Sequence, residues 1–271
     1  AQARKEKLPI VDAEGKTIYL EHTGLTATTI LDSMKLDAKG DFNFAVETPQ
    51  YPDFYRVRIG GQSVVFAMDS ATTKIDIVGS AKDLNNVNIS GSETSLDIQR
   101  LRNSNFELQR VAIEGDTAKV AQMLVAHKRL AQEIVLANPR SAAAYYAINQ
   151  TIKGAYYMTP YNKEDLPFWN AVATAWDLHY ADYERTKELK QNVLLAISQQ
   201  RNSELSAQQL VENITEEGFI EIALPNRIGE TTQLSDYVGK VVLIDFSAYA
   251  MEQAAAHTLF LRELYATYNE L

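Results

Sequence analysis

Cysteine is absent from this 271-residue chain. Disulfides, thiolate nucleophiles and cysteine-ligated zinc or iron–sulfur clusters are therefore excluded within it. The absence does not fix a redox compartment, because a chain without disulfides suits either kind. Long apolar runs are missing too. None approaches the roughly eighteen residues that a membrane-spanning helix needs. Positive charge is in short supply, with 26 Lys and Arg against 35 Asp and Glu and a net charge of −9. The signs are scattered, which argues against a broad nucleic-acid surface. The one basic cluster, Arg4-Lys5-Glu6-Lys7, reads as a solvated tail.

Several chemical signatures are also lacking. There is no phosphate-binding glycine loop, no nucleophile elbow and no carboxylate pair at a fixed spacing. The four histidines, His22, His127, His179 and His257, share no metal-ligand spacing. No cofactor and no metal is expected. The start at Ala1, where a translated chain would have Met, predicts a processed or trimmed product whose targeting segment is out of view.

What is present is the composition of an ordinary globular protein, 46% hydrophobic and 23% charged, long enough for two domains. Up to about Ser90 the chain reads as short strands. Thr17 to Glu21, Thr29 to Leu36, Asp41 to Val46, Phe54 to Ile59, Ser63 to Met68, Thr73 to Val78 and Val87 to Ile89 alternate or run apolar. Asp37 to Gly40, Gly60-Gly61 and Asp69-Ser70 supply turns. Short strands at regular spacing predict an antiparallel sandwich or barrel over 1–90.

From 91 to 216 the period becomes helical. Ile98, Leu101, Leu108 and Ala112 form one stripe, and Val120, Leu124, His127, Leu130 and Ile134 another. Asn138-Pro139 reads as a helix start, with Asn as N-cap and Gly154 near that helix's end. A third helix begins near Lys163 to Pro167 and carries Phe168, Val172, Trp176 and His179. A fourth holds Tyr183, Leu189, Val193 and Ile197, with Arg185, Lys187 and Lys190 outward, and a short one follows at Ala207 to Ile214. Tyrosine is abundant, at 14 residues, with pairs at Tyr145-Tyr146 and Tyr156-Tyr157. These are expected to seal helix packing, a ligand or protein groove being the alternative.

Over 217–271, Phe219 to Leu224 alternates, Pro225 to Gly229 reads as a hairpin turn, and Leu234-Ser235-Asp236-Tyr237 precedes Gly239-Lys240. Val241 to Phe246 is a continuous apolar run bounded by Gly239 and by an amphipathic helix, the pattern of a buried sheet strand. This stretch resembles the opening of a thioredoxin-like domain of the peroxiredoxin or thiol-reductase kind. The lead-in is Leu234 to Lys240, the strand ends in Asp245-Phe246, and Glu263-Leu264-Tyr265 follows in register. The resemblance places the family's two CxxC cysteines at Met251 and Ala254 and its tryptophan at Ser247, so dithiol exchange is physically excluded here. It makes Asp245 the remnant of the family's buried acid, with a pKa expected to be raised by desolvation. Glu252 and His257 are the other polar residues near that place.

The N-terminal part has a resemblance of its own. Ile18 to His22, Leu31-Asp32-Ser33, Gly40 to Phe44 and Pro52 to Tyr55 look like a β-rich domain of unknown function. In Gram-negative envelope proteins that domain precedes a helical segment and a thioredoxin-like domain. The resemblance implies a periplasmic or outer-membrane-associated protein, secreted or held by a lipid anchor upstream.

The expected fold class is therefore α+β and multidomain: a β-sandwich or barrel, a helical segment, and the start of a thioredoxin-like α/β domain. The expected function is binding or assembly without thiol redox activity, toward a protein or small ligand and not nucleic acid. The alternatives are a thiol-disulfide oxidoreductase-family member or another envelope enzyme whose active residues lie beyond residue 271, and an enzyme whose thiols have been edited away. A thioredoxin fold needs more strands than 217–271 supplies, so a truncation at Leu271 is expected.

Overall fold

The computed structural model describes residues 10–152, 154–212, 220–226, 228–245 and 254–268. It is an α+β structure that divides into two compact units, 1–203 and 204–271.

The first unit opens with seven strands: β1 (Ile10–Val11), β2 (Thr17–Thr23), β3 (Thr28–Lys35), β4 (Asp53–Ile59), β5 (Gln62–Met68), β6 (Asp76–Ser80) and β7 (Asp83–Ser90). They form an antiparallel four-stranded sheet in the order β3-β2-β4-β5. A second, three-stranded sheet has the order β1-β6-β7, with β1 parallel to β6. Among the described residues neither sheet closes into a barrel. The period-two pattern explains their packing. Ile18 and Leu20 of β2, Tyr55, Val57 and Ile59 of β4, and Val64 and Phe66 of β5 share one face of the larger sheet. They join Ile77, Leu84, Val87 and Ile89 of the smaller sheet in one buried cluster. Each such side chain contributes about 1.5–3 kcal/mol by leaving water.

The expected strand at Asp41 to Val46 does not form. Phe42, Phe44 and Val46 still pack together against the cluster, so the alternation located a face without a ladder partner for the backbone. The preceding turn is as expected: the Gly40 N–H donates to Asp37 O at 3.1 Å with Gly40 at φ +68°. A side chain at Gly40 would put its Cβ 2.0 Å from the Ile10 carbonyl oxygen, so only glycine fits.

Helices α1 (Glu93–Glu114), α2 (Thr117–Ala137) and α3 (Ala142–Ile148) follow. Next come the two-residue strands β8 (Thr151–Ile152) and β9 (Ala155–Tyr156), then α4 (Leu166–His179) and α5 (Glu184–Glu212). The expected stripes are buried at Ile98, Leu101 and Leu108 in α1 and at His127 and Ile134 in α2. Four details differ, one being that the expected fourth helix and the separate short helix from Ala207 are a single helix, α5. Asn138 closes α2 by donating its N–H to Ile134 O, and α3 starts after Ser141, whose Oγ accepts from the Ala144 N–H. Gly154 lies in the β8–β9 hairpin at φ +83° rather than near a helix end. Arg185 points inward and is only 7% exposed.

The two edges of the four-stranded sheet are treated differently. Along β5, Ser63 and Ala67 carry backbone groups that face away from β4. Helix α1 covers them. The Ser95 hydroxyl accepts from Ala67 N–H at 3.1 Å and donates to Ala67 O at 3.0 Å. Two turns on, the Arg102 guanidinium donates to Ser63 O at 2.9 Å. Between them Gln99 donates to Val87 O of β7, tying α1 to both sheets. At the other edge, β3 is exposed along almost its whole length. Its ladder to β2 is broken by an irregularity between Leu20 and Glu21, and the Asp32 carboxylate accepts the neighbouring Ser33 N–H at 2.7 Å.

The second unit contains a hairpin, β10 (Ala223–Pro225) with β11 (Thr231–Gln233), at the place its turn residues predict. A 3-10 turn over Leu234–Tyr237 follows, in which Gln233 N–H donates to Asp236 Oδ2 at 2.8 Å. The last helix is α6 (Ala254–Tyr268). The expected buried strand is different: residues 241–245 form no strand, and Val241, Val242, Leu243 and Ile244 are exposed. Among the described residues they join no strand ladder, and an apolar run without a ladder is not a strand. Phe246 lies outside the described residues.

Candidate functional site

Of the residues expected at the degenerate dithiol place, Met251 and Glu252 lie outside the described residues, and Ala254 opens α6. Asp245 and His257 are brought together: Nε2 of His257 lies 2.9 Å from Oδ1 of Asp245, and both are solvent-accessible. Asp245 therefore sits in an exposed contact with His257, not on an apolar strand.

Within the first unit His22, His127 and His179 each have their own neighbours. His22 Nε2 lies 2.6 Å from Oδ2 of Asp53. His127 Nδ1 lies 2.9 Å from the Ser104 hydroxyl, buried between α1 and α2 with its ring 4.3 Å from that of Tyr157. Burial pushes its pKa down to about 4, outweighing a smaller opposing effect of the nearby Gln150 side chain. His179 ends α4 beside Tyr180. No group of three His, Asp or Glu able to hold a metal occurs among the described residues.

The largest cluster of ionisable groups lies in the first unit, where β4 meets α3, α4 and α5. Asp53 begins β4 and holds His22 with one oxygen. Its other oxygen, Oδ1, lies 3.5 Å from Arg185. The same guanidinium donates to Thr23 O, and its Nε donates to the Tyr183 hydroxyl at 3.0 Å. It lies over the rings of Phe54 and Tyr145, at 5.1 and 5.7 Å from their centroids. Trp176 stacks on Tyr145 at 4.7 Å, and Tyr51 stacks on Tyr183 at 4.9 Å. The expectation that tyrosines seal the helix packing fits Tyr145 and Tyr183.

Chemically this hub is closed. Burial first, and then the negative charge of Asp53, raise the Tyr183 pKa, so the phenol stays neutral. Burial likewise raises Tyr145 against a smaller opposing effect of Arg185. Thr23 Oγ1, Trp176 Nε1 and Thr186 Oγ1 are buried without a hydrogen-bond partner among the described residues, so ring packing and the arginine hold the hub. His22 has a carboxylate partner, but among the described residues no hydroxyl bonds to its ring as a nucleophile would.

A second charged group lies on the helix-facing side of the four-stranded sheet. Glu21 of β2 is 3% exposed and accepts from Nε of Arg56 and, at 2.7 Å, from Nε of Arg58, both on β4. Burial alone would raise its pKa, but the hydrogen bonds from the two arginines outweigh it and hold the carboxyl below its ordinary value. Arg58 also lies 4.2 Å over the Tyr19 ring.

Sequence reasoning missed Asp53, Arg185, Glu21, Arg56 and Arg58. The Arg-x-Arg alternation of β4 was a legible signal that both side chains share a face. Their partner on β2 required the strand register, which no local pattern gives. No protein-family model, curated protein or solved structure matches this chain.

Proposed function

We propose that this chain is a non-catalytic cell-envelope protein acting in binding or assembly, with no thiol redox activity. Residues 10–90 then form a small sandwich, and the second unit is related to thioredoxin-like domains. The observation that carries the reading is the closure of the main ionisable cluster. Asp53 bonds His22 and Arg185, Arg185 bonds Tyr183, and among the described residues no serine, threonine or cysteine nucleophile is bonded to His22. Thiol chemistry has no atoms to run on, since the chain has no cysteine. Support for the thioredoxin relation is local: a 3-10 turn begins the lead-in at Leu234–Tyr237, and α6 occupies the helix that carries Glu263-Leu264-Tyr265.

The test is insulin disulfide reduction by the purified chain. No turnover above a protein-free control is expected, and turnover above it overturns the reading. A second reading, an envelope enzyme whose active residues lie beyond residue 271, draws on the exposed Asp245–His257 contact at 2.9 Å.

A further inference from the structure

Residues 41–50 leave their backbone unpaired. A buried backbone N–H or C=O almost always has a partner within the protein. Yet among the described residues no hydrogen bond or ion pair reaches any group of 41–50. Their amides and carbonyls therefore face water, and hydrated backbone is open to a second chain. The segment is nonetheless held in place. From 41 to 49 it runs without a turn or a bend. Phe42, Phe44 and Val46 pack against the core of the strand region, and the two phenyl rings lie 6.0 Å apart. Asn43, Ala45 and Glu47 alternate with them and are exposed. At the start of the segment the Gly40 carbonyl accepts the Ile10 N–H at 3.0 Å, which fixes where the chain enters.

This is the period-two pattern of a strand with one face on the core, and what it lacks is a neighbour. A backbone anchored by alternate side chains with its own groups free is a template for strand addition. Charge says which strand fits. Asp41 and Glu47 stand at the two ends and share the side that faces away from the core, in a chain of net charge −9. Residues opposed across paired strands share a face. A second copy pairing antiparallel about Phe44 would set Asp41 against the other copy's Glu47, twice over. Like charges directly opposite are destabilising. Shifting that register by one residue would turn the apolar set of one copy away from the core. A strand with a cation at each end and apolar residues at alternate positions between them meets both acids and extends the apolar face.

We infer that 41–47 is a docking strand for an extended segment of a partner protein, apolar at alternate positions and carrying Lys or Arg at both ends. Main-chain hydrogen bonds hold the added strand, and Phe42, Phe44 and Val46 set its register. The docking strand deepens the binding reading above and rests on it. Failure of strand addition leaves that reading standing, whereas insulin turnover removes it whatever the added strand does.

The test is titration of the whole chain with the capped peptide Lys-Val-Thr-Val-Thr-Val-Lys, against a twin with Glu at both ends. Backbone-amide NMR of the chain reads where each peptide binds. Saturable binding of the Lys-ended peptide is expected, about tenfold tighter than its twin. Shifts and slowed hydrogen exchange should fall on alternate amides within 41–47. Asp41→Lys combined with Glu47→Lys should reverse the preference, and neither carboxylate makes a bond whose loss would unfold the chain. No binding of the Lys-ended peptide, equal binding of the two, or shifts confined to other residues overturns the docking strand. So does a concentration-dependent dimer of the chain alone that protects the same amides, which assigns the edge to a second copy. If the double variant does not fold, the two peptides on the unaltered chain decide.

Discussion

The two edges of the four-stranded sheet solve the same problem by different means. Both β5 and β3 have backbone groups with no strand beyond them, a template for unwanted pairing. At β5 the answer is tertiary: α1 lies along the edge, and Ser95 and Arg102 satisfy Ala67 and Ser63. At β3 the answer is local: an irregular ladder, and an Asp32 carboxylate that accepts the Ser33 N–H. The covered edge gains apolar contact and is stable because α1 is stable. The open edge depends on nothing else, but it protects against association without adding stability.

The sharpest way to break the contrast is to loosen α1. Leu101 is fully buried in the helical cluster, and Leu101→Ala should cost about 2–5 kcal/mol. Urea unfolding followed by circular dichroism reads this as a lower midpoint. A loss under about 1 kcal/mol means that α1 is not what holds the covered edge.

Acid tests the same helix through His127, which α1 contacts by Ser104. Its folded pKa of about 4 lies below the ordinary 6.5, so the unfolded chain binds the extra proton between those values. Its contribution is fully present above pH 6.5 and is lost as pH falls toward 4, about 3 kcal/mol in all. His127→Gln should flatten that part of the stability–pH curve. An unchanged slope in the variant removes His127 as its cause.

The smallest effects compare the edges directly. Ser95→Ala leaves Ala67 with an unpaired buried N–H and C=O and should cost about 1–3 kcal/mol. Asp32→Ala at the exposed edge should change stability by no more than about 0.5 kcal/mol. It should instead raise concentration-dependent light scattering, which Ser95→Ala at equal folded fraction does not. Equal scattering in the two variants would mean that Asp32 does not guard β3.

The sequence made the β-rich stretch legible where alternation coincided with pairing, as at β2, β4 and β5. It misled at Asp41 to Val46 and at 241–245, where the side-chain pattern suited a strand but no partner was in place. Val64 to Phe66 and Val241 to Leu243 are similar apolar runs, yet only the first has a ladder. The same limit hid the charged groups. Glu21, Arg56 and Arg58 are distant in sequence and meet only through the β2–β4 register, and Arg185 reads as an outward helix cation until Asp53 and Thr23 are set beside it. His257 and Asp245 were legible as neighbours because one short segment carries both.

The parallel pairing of β1 with β6 sets an order of events. Ile10 pairs with Gly79, and its N–H donates to the carbonyl of Gly40 at 3.0 Å. During translation, Gly79 is made on the order of ten seconds after Ile10. Throughout that interval β1 has no ladder to join, while the β2–β3 and β4–β5 hairpins can close as soon as they emerge. The β1 strand is thus made well before its partner and finds its place late, and the three-stranded sheet is finished from its older end.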